Sequence, residues 1–169
     1  MWEKDTSMRA LVMKIERLSK AGSVWAELFE RTPNATPFIS YEWFRILTRN
    51  LLKADPEIMI FCDNDAVVGM IPARESDHKL TMVGDERVTD QNDMLFLPGY
   101  EHLIVQEFTE YVAAKDLGLD LYPLPLDSPL VHGLKERLPD LILQEKDPCP
   151  VLHLSSTWEE YLARLERKS

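Results

Sequence analysis

The sequence predicts an α/β fold in which helices cover both faces of a mixed β-sheet. Its 169 residues are enough for one domain with a sizeable core. A hydrophobic fraction of 45% beside 28% charged residues is typical of a globular domain. Along the chain the apolar period also changes from 3.6 to 2 and back, which indicates that helices and strands alternate.

The first third of the chain predicts one strand and two helices. Residues 1–10 are polar and are expected to be frayed, and residues 11–15 alternate as in a short strand. Ser23 is the expected cap of the first helix, which Thr32-Pro33 ends. Ser40 is the expected cap of the second helix. Its apolar face consists of Trp43, Phe44, Leu47 and Leu51.

The middle of the chain predicts a β-meander. Residues 58–62 and 66–71 flank a polar turn and are expected to pair as a hairpin. Residues 79–83 are expected to add a third strand to the same meander, followed by an acidic loop and a short strand in the run MLFL.

The last third predicts alternating helices and strands. A helix over residues 101–116 should be followed by a strand in LDLYPL, parallel to the MLFL strand. Ser128 with Pro129 predicts a further helix, and residues 141–144 and 151–154 the last β-element.

Residues 155–169 predict a final amphipathic helix. Ser156 and Glu159 have the spacing of a capping box. The apolar residues recur at helical spacing, so the helix should pack on its own domain or on another chain. This stripe consists of Trp158, Tyr161, Leu162 and Leu165.

Charge and cysteine usage narrow the class of protein. The formal charge of −10, from 19 basic and 29 acidic residues, argues against a nucleic-acid or anionic-lipid surface. The two cysteines form no disulfide or metal pattern, and the four histidines lack ligand spacing. With no secretory leader pattern and no long apolar run, we expect a cytoplasmic protein without a membrane span.

Three stretches carry a family resemblance: PFISYEWF, VTDQNDMLFLPG and PCPVLHLSSTWEEYLARLERKS. They resemble the N-terminal half of the CelD-like and FemAB-like acyltransferases, whose chains contain two GNAT-like lobes. The resemblance implies a GNAT-like lobe over residues 11–154 and the start of a connector helix over residues 155–169. It also implies that acyl-CoA binds to a second lobe, which this chain lacks, so that the chain alone binds no cofactor and is inactive.

A phosphate-binding loop is not evident in the sequence, because all six glycines are isolated. A complete small acyltransferase with an unusual cofactor loop therefore stays a weaker alternative.

Four residues are candidates for binding the acceptor substrate. Asp90 and Asp93 stand where the family motif resembles Asp-Tyr-x-Asp, although the aromatic residue is absent here. Their carboxylates are suited to orient a hydroxyl or amine or to act as a general base; the alternative is that they cap turns. Asp120 and Tyr122 should share one face of a strand and reach a cleft, or else form a solvated strand edge.

Two functions follow as hypotheses. The first is the substrate-side or non-catalytic lobe of an N- or O-acyltransferase. The second is a catalytically silent binding or assembly module that oligomerises through the final helix.

Overall fold

A computed structural model describes residues 11–33, 35–84, 87–146 and 156–166. Within these residues lie seven strands and five α-helices. The strands are β1 (Val12–Arg17), β2 (Glu57–Asp63), β3 (Ala66–Ile71), β4 (Ala73–Ser76), β5 (Lys79–Met82), β6 (Leu95–Phe96) and β7 (Gly118–Asp120). The helices are α1 (Gly22–Arg31), α2 (Tyr41–Leu47), α3 (Glu101–Ala114), α4 (Pro129–Arg137) and α5 (Trp158–Glu166).

The predicted α/β class is confirmed, with helices packed on both faces of the central strands. Strand β2 shows why, because its side chains alternate between two buried clusters. Met59 and Phe61 pack in the cluster that contains residues of α3 and α4. Ile58 and Ile60 pack in the cluster that contains residues of α1 and α2. The centre of the sheet is therefore buried on both sides.

The strands form two hydrogen-bonded sheets instead of one. Strands β1, β2, β3 and β6 form an antiparallel sheet in that order, and β4, β5 and β7 form a mixed one. Pro72 separates β3 from β4, since proline has no N–H to give to a ladder. The expected meander is therefore wrong at its third strand: residues 79–82 pair with β4 and not with β3.

A tight turn joins β4 to β5 at the predicted polar segment. Asp77 and His78 both have positive φ, at 52° and 56°. This combination is the one that a two-residue turn of type I′ requires. The turn also sets the register, in which Ser76 is paired with Lys79.

Strand β7 is parallel to β5, so the predicted parallel pair exists with a different partner. The expected neighbour was the short strand that is now β6, but β6 pairs antiparallel with β3. Helix α3 thus connects strands of different sheets.

The predicted capping residues are correct for two helices and wrong for a third. Ser40 and Ser128 cap α2 and α4 as predicted, whereas α1 begins at Gly22 and has no side-chain cap, so Ser23 lies within the helix.

A π-helical turn, Thr48–Leu52, continues α2. Its wider spacing rotates the apolar stripe, which buries Thr48 and leaves Leu51 61% exposed, contrary to prediction.

Helix α5 begins one residue later than the predicted capping box implies. The N–H of Glu160 donates to Oγ1 of Thr157 at 3.2 Å, and the hydroxyl of Ser156 donates to the Glu160 carboxylate at 2.7 Å. Thr157 and Glu160 therefore replace Ser156 and Glu159 in the cap.

The predicted β-element before α5 is not observed where the structure describes it. Residues 141–144 are irregular: Leu141 packs against the core, whereas Ile142 is 89% exposed. The run 151–154 lies outside the described residues.

Candidate functional site

The segment between β5 and β6 carries the first two candidate residues, and Asn92 anchors it. Asn92 is fully buried. Its side-chain Nδ2 donates to the carbonyl oxygen of Val83 at 3.1 Å, and its backbone N–H donates to that of Pro123 at 2.8 Å. The segment is thereby fixed to the end of β5 and to the loop after β7.

Asp93 follows this anchor and is held by one of its two carboxylate oxygens. Its Oδ1 accepts from the backbone N–H of Met94 at 2.8 Å and from the hydroxyl of Ser128 at 2.6 Å. Ser128 is also the cap of α4, where its Oγ accepts from the N–H of Leu130 at 3.1 Å. Oδ2 of Asp93 accepts no hydrogen bond from the described residues, which leaves it available to a ligand.

The surroundings of Asp93 raise the pKa of its carboxyl group toward neutral pH. Burial raises its pKa from 3.8 to about 6, although the bonds from Ser128 and Met94 act in the opposite direction. The charge of Asp127 adds a smaller increase to this pKa. A carboxyl group that titrates near neutral pH can both accept and release a proton, as general acid–base chemistry requires.

Asp90 does not share this environment. Its side chain is exposed, while Thr89 and Asn92 on either side are fully buried. The structure therefore brings Asp93 together with Ser128 and Asp127, and leaves Asp90 outside the cluster.

Asp120 and Tyr122 lie on a different surface. Asp120 is exposed and forms an ion pair with Lys79, at 3.5 Å from its Nζ, across the parallel strands β5 and β7. Lys146 places its Nζ 4.2 Å from the centre of the Tyr122 ring. Strand β7 ends at Asp120, so the expected strand face shared by these two residues is not formed. The ion pair is what a solvated strand edge would contain.

Ser128 and Asn92 are the members of the site that sequence patterns did not assign to it. Ser128 was predicted as a helix cap, and it fulfils that role, but its hydroxyl proton is directed to Asp93. Asn92 is notable because its buried Oδ1 has no hydrogen-bond partner. The sequence contains no signal that distinguishes Asn92 from the polar residues around it.

The described residues do not fit a CoA pyrophosphate at the helix that follows β6. A pyrophosphate site needs free backbone N–H groups at the amino end of a helix. At α3 the N–H of Gly99 donates to Oε2 of Glu101 at 2.8 Å, so a carboxylate already occupies the amino end of this helix. Its negative charge would repel a phosphate group. Within the described residues there is also no group of three His, Cys, Asp or Glu side chains that could hold a metal ion.

Comparison of the chain with models of protein families, with curated proteins and with solved structures gives no match. The acyltransferase resemblance therefore stays a prediction. None of the described helices is long and apolar enough to cross a membrane.

Proposed function

We propose that this chain is the substrate-side lobe of an N- or O-acyltransferase, in which Asp93 binds the amine or hydroxyl group that receives the acyl group. The observation that carries the proposal is the geometry of Asp93: one oxygen is fixed by two hydrogen bonds, and the other accepts none from the described residues. A carboxylate held in this way keeps its orientation when a substrate enters.

The chemistry of the carboxyl group supports the same role. Transfer of an acyl group to an amine or hydroxyl requires that the acceptor loses a proton. A general base whose pKa is near the working pH increases the rate of such a step roughly 10²- to 10⁴-fold. With its pKa raised to about 6, Asp93 is ionised at neutral pH but remains basic enough to take up a proton.

The acyl-CoA donor is assigned in this proposal to a second lobe. Glu101 disfavours a phosphate group at the amino end of α3. The need for acyl-CoA also agrees with the cytoplasmic location that the sequence leads us to expect.

A titration followed by ¹⁵N NMR tests this function. Glucosamine, which offers both an amine and hydroxyls, is expected to shift the amide signals of Asp93, Met94 and Ser128. The shifts should be lost in Asp93→Asn and kept in the control Asp90→Asn, whose side chain is exposed. Shifts that survive Asp93→Asn would contradict the role of Asp93, and stoichiometric binding of acetyl-CoA to this chain would contradict the division between two lobes.

A second function is favoured by a separate observation at α5. Trp158 is 64% exposed and Leu162 40% exposed, and the Trp158 ring stacks on Tyr161 with 5.3 Å between ring centroids. The predicted stripe also includes Leu165, whose side chain lies outside the described set. We propose as the alternative an assembly module that self-associates through this surface, since exposed aromatic clusters are enriched at interfaces.

Sedimentation equilibrium tests the assembly function. Concentration-dependent association should weaken in Trp158→Ser and persist in Leu126→Ser, which changes an apolar residue outside α5 that is 54% exposed. A monomer at every concentration would exclude self-association through α5.

A further inference from the structure

The outer surface of α2 and of the π-helical turn after it contains two exposed aliphatic side chains. Ile46 is 52% exposed and Leu51 is 61% exposed. In the π-helical turn the N–H of Lys53 donates to the carbonyl oxygen of Thr48, five residues earlier. Residues five apart across such a turn lie about one helical turn from each other on the same side. Ile46 and Leu51 therefore form one exposed apolar surface.

Cations border this apolar surface. Arg45 and Arg49 are exposed and four residues apart, and Arg49 is three residues from Ile46, so these side chains are neighbours on the helix. Residues 41–53 contain three cations and one carboxylate, that of Glu42, although the whole chain has a formal charge of −10. The α2 surface, as the term is used below, consists of Arg45, Ile46, Arg49, Leu51 and Lys53.

Helix α5 presents a complementary combination of side chains. Trp158 is 64% exposed, Leu162 one turn later is 40% exposed, and Tyr161 stacks on Trp158. The first turn of α5 also contains Glu159 and Glu160, both of which are exposed. The amino end of α5 is thus an aromatic and aliphatic stripe beside two carboxylates, whereas the α2 surface is an aliphatic pair beside cations.

The two surfaces do not cover each other within one chain. Ile46 and Leu51 on the first surface, and Trp158 and Leu162 on the second, are all at least 40% exposed in the same structure. A second copy of the chain presents both surfaces at once. Two identical contacts can therefore form around a two-fold axis, with α5 of each copy on α2 of the other. This arrangement buries twice the area that one short helix buries alone.

We propose that α5 docks on the α2 surface of a second copy of this chain, with the stripe of α5 on Ile46 and Leu51 and its carboxylates beside the cations. The proposal rests on the assembly function described above and names the surface that receives α5. The opposite charges fix the orientation of the contact and the choice of partner. Trp158 is the anchor of the apolar centre, a role that tryptophan commonly has at interfaces.

Reversal of the basic charges tests the receiving surface. In sedimentation equilibrium, Arg45→Glu combined with Arg49→Glu should associate about tenfold more weakly than a matched double variant, because attractive contacts become repulsive. The matched variant is Arg74→Glu combined with Lys135→Glu, which makes the same change in net charge at exposed positions elsewhere. Equal association constants for the two double variants would contradict the proposal.

A second pair of variants tests the apolar centre. Ile46→Ser should weaken association about tenfold, because this side chain no longer contributes apolar area to the contact. Leu126→Ser is the matched control, since Leu126 is 54% exposed and Ile46 is 52% exposed. If both variants associate as tightly as the wild-type chain, α5 does not bind to the α2 surface.

A spin label locates the contact without changing either surface. Ala163→Cys places a nitroxide at an exposed position of α5 outside the stripe. Cys149→Ser removes the other reactive thiol, since Cys62 is buried. Mixed with a ¹⁵N-labelled wild-type copy, the spin-labelled copy should broaden the amide signals of residues 45–51 in that second copy.

The results separate this inference from the assembly function on which it rests. A wild-type chain that is monomeric at every concentration contradicts both. Association without broadening at residues 45–51, or with broadening confined to α5, overturns the docking on α2 and leaves self-association through α5 standing.

Discussion

Asp93→Asn is expected to stabilise the protein at pH 8 and to lose this advantage on acidification. In the folded chain, burial raises the pKa of Asp93 from 3.8 to about 6. Above pH 6 the carboxylate is charged in both the folded and the unfolded state, and the folded state bears the cost of burying it. Between pH 6 and 3.8 the folded state takes up a proton that the unfolded state does not. The wild-type protein therefore gains stability as the pH falls through this window.

The size of the effect follows from the same pKa values. A rise from 3.8 to about 6 corresponds to about 3 kcal/mol of unfolding free energy at pH 8. Asparagine has the shape of the protonated carboxyl group, keeps an oxygen to accept from Ser128 and carries no charge. At pH 4, just above the unfolded pKa of 3.8, about 0.6 kcal/mol of this cost remains, so the difference in unfolding free energy between Asp93→Asn and wild type should be about 2.4 kcal/mol larger at pH 8 than at pH 4.

Urea unfolding at the two pH values measures this difference, with tryptophan fluorescence as the signal because Trp25 is fully buried. Taking the difference between variant and wild type cancels the titration of all other groups. Asp90→Asn is the matched control, since the carboxylate that it removes is exposed. A difference that changes by less than about 0.5 kcal/mol between pH 4 and pH 8 would refute the reasoning, since such a change is within the range of surface substitutions.

Three further changes test the packing. Thr32→Val should cost about 1–3 kcal/mol in urea unfolding, because it leaves a buried backbone N–H of β6 without the Thr32 hydroxyl at 2.9 Å; a loss below about 0.5 kcal/mol would contradict this. Gly133→Val should cost about 1–3 kcal/mol, because even a Cβ would come within 2.6 Å of a methyl group of Val105, and unchanged stability would mean that α3 and α4 are less closely packed. Trp158→Ala should leave the melting temperature of the monomer, measured at low protein concentration, unchanged, since that side chain is 64% exposed; a marked fall there would show that it packs on the domain.

Elements whose signals are local were predictable from the sequence. The caps of α2 and α4 depend on a hydroxyl and an N–H only two or three residues away. The face of α3 was likewise largely predictable: Ile104, Phe108, Tyr111 and Val112 recur at helical spacing, and all are buried except Tyr111, which is half-buried. In both cases the information lies within one or two turns of the chain.

Strand partners were not predictable in the same way. The periodicity of residues 79–82 indicates a strand but contains nothing about its neighbour. The neighbour is decided by Pro72 and by the turn at Asp77 and His78, which together remove β4 from the first sheet. β7 was likewise given the wrong parallel partner, because a crossover helix fixes the direction of a strand more firmly than its position.

The candidate site was predictable in its residue type and not in its geometry. In the sequence, Asp90 and Asp93 are indistinguishable carboxylates in one polar segment. They differ because Asn92 is buried between them, which turns Asp93 toward Ser128, 35 residues further along the chain. No pattern within the segment itself could indicate a hydroxyl so distant in sequence.

Irregular backbone shapes both a groove beside β4 and the segment that presents Asp93. Pro72 interrupts the strand that would otherwise continue alongside β2, and the groove occupies the resulting gap. Pro123 accepts the N–H of Asn92 and so fixes the segment that presents Asp93.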